Sequence, residues 1–147
     1  MENIGLFLTK SNPKVITQLL EYGVKGDSPE KLFYGQDGDS NLYITLYPFE
    51  DEDQEIVDEV SSYTTIKFRT VIGIDIGRSP QSWFECMKLV SHLYKSFPNE
   101  ELLIDDSMDG YWTIEEIKQD KPKEGIKFLS QYLSEEERKR VVEPIQT

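Results

Sequence analysis

"YTTIKFRTVIGIDIGRSPQSWFECMKLVSHLYKSF", residues 63–97, carries two apolar periods in succession. Ile66, Phe68, Ile72, Ile74 and Ile76 alternate with Lys67, Arg69 and Asp75, the two-residue period of a strand with one buried face. Beyond it, Trp83, Met87, Val90, Tyr94 and Phe97 recur every three or four residues, which predicts a helix with one apolar stripe. Ser79 stands where a cap belongs and Pro80 where a first turn opens. A long strand feeding an amphipathic helix is the unit that organises the rest.

Upstream, "NIGLFLT" reads as a short apolar strand, and "SNPKVITQLLEYG" as a helix punctuated by Ser11 or Asn12, Pro13 and Gly23. Val15, Ile16, Leu19 and Leu20 form its predicted buried face. "KLFYG" and "NLYITLYP" are predicted strands joined by the polar turn "QDGDS". In the second, Leu42, Ile44 and Leu46 face one way while Tyr43, Thr45 and Tyr47 face the other. "FEDEDQEIVDE" is expected to be partly helical. Downstream, "ELLIDD" is a strand or a last helical turn, and 113–143 is expected to be a mostly helical tail, interrupted near Pro122. Thr113 with Glu116, and Ser134 with Glu137, have the spacing of capping boxes. The order predicts one α+β domain over 1–147: a mainly antiparallel sheet with helices packed on one face, ferredoxin-like βαββαβ with an extra strand.

Composition narrows the function. The formal net charge is −12, which opposes nucleic-acid binding, where phosphates must be neutralised by Lys and Arg. It equally disfavours anionic membrane surfaces, and no apolar run reaches spanning length. Basic proteins would be steered inward instead. The start, "MENIGLFLTK", lacks the features of a secretory leader, and the single Cys86 suits a reducing cytoplasm. Between Lys31 and Lys67 there is no basic residue, while Asp37, Asp39, Glu50, Asp51, Glu52, Asp53, Glu55, Asp58 and Glu59 all fall there. The segment 50–59, together with Tyr43 and Tyr47, is the predicted partner-binding surface; a solvated face is the alternative.

"DDSMDGYWTIEE", residues 105–116, places Asp105, Ser107, Asp109 and Glu116 as a twelve-residue calcium loop would. Its flanks favour a turn. Pro98 interrupts the helix upstream, no second loop exists to pair with, and Glu116 can cap a helix begun at Thr113. Gly110 then supplies the permissive backbone of the turn. No cofactor is expected.

A catalytic constellation is also lacking. His92, the only histidine, is predicted on the exposed face with Glu85, Lys88 and Lys95. Cys86 reads as a small core residue. The glycines of "VIGIDIG" have no phosphate loop after them, and Asp75 with Asp105 and Asp106 reads as solvated turn carboxylates. The expectation is a non-enzyme.

The stretch 68–112 runs strand, polar link, tryptophan-bearing helix, then a strand ending in paired aspartates before an aromatic. Through Ser82–Trp83, the stripe to Phe97 and Leu102–Asp106, it resembles small bacterial immunity proteins of polymorphic or contact-dependent toxin systems, the SitI-like group. The resemblance covers about a third of the chain. It implies a cytoplasmic partner that neutralises a toxin domain by occlusion, without catalytic residues. The alternative is a regulatory or small-ligand-binding domain with Tyr43, Tyr47, Lys67 and Arg69 on one sheet face. Oligomeric state is left open.

Overall fold

The structure, a computed structural model, describes residues 2–35, 41–77, 79–97, 100–107 and 110–146. In chain order the elements are β1 (Glu2–Leu8), α1 (Asn12–Tyr22), β2 (Lys25–Ser28), β3 (Lys31–Gly35) and β4 (Asn41–Pro48). A 3-10 turn (Phe49–Asp51) leads to α2 (Gln54–Tyr63), β5 (Thr70–Ile76) and α3 (Pro80–Ser96). Then come β6 (Leu103–Asp105), β7 (Tyr111–Thr113), α4 (Ile114–Gln119) and α5 (Glu135–Gln146). The predicted turn at 36–40 lies outside the described residues.

Among the described residues, all seven strands join one sheet in the order β2-β3-β4-β5-β1-β6-β7, every neighbour antiparallel. Its inner four, β4-β5-β1-β6, with α1 and α3 as the crossing helices, have the ferredoxin-like order. The hairpin β2–β3 extends one edge and β7 the other. Leu42↔Ile76, Ile44↔Ile74 and Leu46↔Ile72 pair across β4 and β5, and Ile4↔Ile74 and Leu6↔Ile72 across β1 and β5. These alternate residues share one face, so the apolar side chains of three strands form a single slab. Against it lie Val15 and Leu19 of α1, Trp83, Met87 and Val90 of α3, and Val141, Val142 and Ile145 of α5.

Local chemistry places the helices. Ser79 Oγ accepts from Ser82 N–H (3.2 Å), capping α3 where Pro80 opens it. Gly23, at φ 116°, ends α1 in a left-handed conformation that a side chain would resist, and its N–H reaches back to Leu20 O. The expected buried face of α1 is narrower than its spacing suggested. Val15 and Leu19 are buried and Ile16 partly so, but Leu20 is 49% exposed, because only one stripe of so short a helix meets the sheet.

Two further expectations are corrected. The predicted strand through 63–77 exists only from Thr70 onward. Arg69 N–H is taken by Leu8 O and Arg69 O by Phe49 N–H, which closes a corner ahead of β5. The corner turns Ile66 and Phe68 away from Ile72 to the opposite face, where they join Phe7, Val60, Val71 and Leu103 in a second, smaller core. α2 roofs that core through Val60 and Ile56, so one helix covers part of the second face. The tail is helical only at 114–119 and 135–146. Between them Asp120, Glu124 and Leu129 have positive φ, and Lys123 and Ile126 bridge, so the apolar residues Phe128, Leu129 and Leu133 reach the core from turns. Arg138, buried, holds these turns in place: its Nε donates to Phe128 O (2.7 Å), and it pairs with Asp120 and Glu135. Both expected capping boxes form, at Thr113/Glu116 and Ser134/Glu137.

Candidate functional site: the acidic face of the sheet

The second face owes its shape to strand register. Asn3, Gly5 and Phe7 of β1 stand opposite Asp75, Gly73 and Val71 of β5, and these opposite Tyr43, Thr45 and Tyr47 of β4. The paired glycines leave the middle of this face without side chains, with Asp105 beside Gly5 on the far strand. One end of the face is roofed by the small core under α2. At the other, Phe33 and Tyr43 meet with ring centres 5.4 Å apart and planes tilted by 53°, and they remain 38% and 45% exposed. Asn3 Nδ2 donates to Asp75 Oδ1 (2.9 Å) further along the same cross-strand row.

The acidic segment folds along the roofed end. Glu50 and Asp51 lie on the 3-10 turn, Asp53 occupies the N-cap of α2 without a side-chain bond, and Glu55, Asp58 and Glu59 follow on the helix. Acids in the first turn suit the positive end of the helix dipole. Two carboxylates are fixed by phenols: Tyr47 donates to Glu52 Oε2 (2.6 Å) and Tyr111 to Glu59 Oε2 (2.8 Å). Burial, then the bonded carboxylate, pushes both phenols above their ordinary range. Asp58 accepts from Gln54 Nε2 (2.8 Å). None of the seven acids between 50 and 59 has an ion pair among the described residues. Their field reaches the strand beside them. Burial raises the Asp105 carboxyl above its ordinary range, the Ser107 N–H offsets part of this, and Asp106, Glu59 and Glu52 add repulsion.

The other predicted residues are dispersed. Asp105 faces the acidic side, whereas Asp106 is buried and accepts from Gly110 N–H (3.1 Å) and Trp112 Nε1 (2.9 Å). Ser107 donates to Asn3 O (3.0 Å), and Asp109 lies outside the described residues. Glu116 turns back to Thr113 N–H (2.9 Å) and meets Lys123 Nζ at 3.0 Å. The carboxyls at 105, 106 and 116 thus serve a hairpin, its buried turn and a cap. No group of three His, Cys, Asp or Glu side chains is placed to hold a metal ion among the described residues.

Glu85, expected on an exposed face, is buried: Gln81 Nε2 donates to Oε1 (3.1 Å), and Lys88 Nζ stands 3.8 Å from Oε2. α3 packs along both α5 and α1, which widens its buried face beyond the aromatic stripe, and Glu85 lies close enough to Tyr22 of α1 to help burial and Tyr34 raise that phenol. His92, half-buried, lies against Tyr22 with ring centres 4.9 Å apart. Cys86 is buried, and burial pushes its thiol up. Lys67 and Arg69 precede β5 instead of lining the face with Tyr43, since the strand begins at Thr70. Phe33, Tyr111 and the Gly5–Gly73 pair, absent from the sequence reading, enter through register. The alternation of "KLFYG" could have flagged Phe33 as opposite in facing to Leu32.

Fold and face together define an α+β domain of ferredoxin-like strand order, with an acidic roof at one end of the second face, without ion pairs at 50–59 among the described residues, and exposed aromatics at the other. Compared with protein-family models, characterised proteins and solved structures, the chain matches none.

Proposed function

We propose that this is a non-catalytic cytoplasmic binding protein that engages a basic protein, and that it acts as an immunity protein occluding a cognate toxin domain. The observation that carries the reading is the run of seven acids between 50 and 59 without an ion pair among the described residues, at the opposite end of the same sheet face from the exposed Phe33–Tyr43 pair. Unpaired surface carboxylates raise the rate at which a basic partner arrives, and desolvated aromatics supply most of the affinity once it docks. The net charge of −12 works against nucleic acid as that partner. The sheet face is a less apt small-ligand site, since α2 roofs one end of it.

The test uses the product of a toxin-like reading frame adjacent to the gene. Glu50, Asp51 and Glu55 carry no hydrogen bond or ion pair among the described residues, so Glu50→Gln, Asp51→Asn and Glu55→Gln together should leave the fold intact. Stopped-flow association with the triple variant should slow by about tenfold at low salt and converge with wild type near molar salt. Equal rates at low salt would reduce the segment to a solvated face.

A further inference from the structure

Where α2 ends against β6 and β7, a cavity of about 220 Å³ opens to the surface, walled by Tyr63, Ile66, Tyr94, Leu102, Leu103 and Ile114. That volume is below the range of pockets for drug-sized ligands. It suits one long side chain. Glu101 and Glu115 stand exposed at its mouth with no hydrogen bond or ion pair among the described residues. Glu100, buried in the wall, accepts hydrogen bonds from Thr9 N–H (2.8 Å) and Thr9 Oγ1 (3.0 Å) and has no ion pair among the described residues. Lys118 stands near the wall, its Nζ 5.4 Å from the Tyr94 ring centre and without an ion pair among the described residues. Lys123, over Tyr63 at 5.0 Å, is matched by Glu116. Tyr63 also borders the groove formed by Glu55, Asp58 and Glu59, so the cavity continues the acidic strip of α2.

We infer that this cavity is the anchor site for a long basic side chain, a lysine or arginine of the partner, with its stem against the apolar walls and its cationic head between Glu101 and Glu115. The inference rests on the basic-partner reading and gives it a residue type. Apolar walls alone would take a leucine or methionine as readily. The uncompensated charge at the mouth selects the occupant whose stem is apolar and whose tip is positive. Anchors of this kind, buried at the end of a charged strip, concentrate binding energy in a few side chains.

The test needs no partner. N-acetyl-lysine methylamide, its arginine counterpart and the neutral N-acetyl-norleucine methylamide are titrated into the full-length protein while backbone amide resonances are followed by NMR. The basic probes should shift the amides of Leu102, Leu103 and Ile114 saturably, and norleucine should bind more weakly by at least about threefold. The Glu101→Gln/Glu115→Gln variant should remove that difference, whereas Glu50→Gln/Asp51→Asn should leave it. Equal binding of norleucine and lysine would overturn the inference. So would shifts confined to Glu55–Glu59, which would leave the basic-partner reading standing without this anchor. Saturable lysine binding in the cavity, alongside acid-insensitive association with the toxin, would support the cavity and refute the reading of the 50–59 strip.

Discussion

Trp83→Ala tests the core on which both faces depend. Trp83 is 1% exposed and lies between the sheet and the C-terminal turns, its ring stacked on Tyr132 with centres 5.2 Å apart and planes 28° from parallel. A tryptophan buries roughly 150–250 Å², and at about 25 cal/mol per Å² that corresponds to about 4–6 kcal/mol. Part is retained by the alanine and by collapse of the surroundings, so the expected loss is about 3–5 kcal/mol. Of this, about 0.5–1.5 kcal/mol belongs to the stack with Tyr132. Against a total stability of roughly 5–15 kcal/mol, the variant should remain folded but with a large fraction of its margin gone. Melting should fall by about 8–16 °C for a chain of this size. Urea unfolding followed by far-ultraviolet circular dichroism measures the loss, and the fluorescence of Trp112 gives an independent signal. A double-mutant cycle with Tyr132→Ala isolates the stack. A loss below about 1 kcal/mol with an unchanged denaturant slope would refute the packing derived above.

Three further outcomes follow from the acidic hairpin and its cap. Asp105 has its folded pKa raised above the ordinary carboxyl value, chiefly by burial, so its contribution to stability is present at low pH and lost as pH rises through the folded value. Asp105→Asn, which keeps an acceptor for Ser107 N–H, should therefore be more stable than wild type at pH 7 and equal to it near pH 3; reduced stability at pH 7 would contradict the raised value. Glu116 moves the other way: burial raises it, but Thr113 N–H, Lys123 and Tyr63 outweigh that and hold it below the ordinary range. Glu116→Gln keeps the capping acceptor for Thr113 N–H but loses the ion pair with Lys123, and should cost up to about 1 kcal/mol at pH 7. That difference should fade as pH falls through the folded value of Glu116, and a pH-independent loss in thermal melts would argue against its ion pair. Titration calorimetry should show no saturable heat with calcium below about millimolar, whereas a micromolar site abolished by Glu116→Gln would overturn the assignment of 105–116 to a hairpin and a cap.

The α+β class, the strands built on Leu42–Leu46 and Ile72–Ile76, the capped α3 and the two capping boxes were legible in the chain's local pattern. Each of these depends on residues a few positions apart, where period, cap chemistry and turn residues act locally. The sequence by itself also determined that an acidic run without basic neighbours lies between Lys31 and Lys67. Tertiary structure alone decided where that run would stand. Phe68 looks continuous with Ile72 in sequence, and only the corner made by Leu8 and Phe49 with Arg69 sends it to the opposite face, where it gives α2 a floor. The same holds for Phe33 beside Tyr43, for Gly5 opposite Gly73 and for the burial of Glu85. These positions arise from pairing between distant strands and helices, and a linear pattern does not encode such register because loops of many lengths satisfy the same local periods. The cavity at the end of α2 is of this kind as well: Tyr63, Leu102 and Ile114 belong to three separate segments, and the space between them exists only once the sheet has brought those segments together.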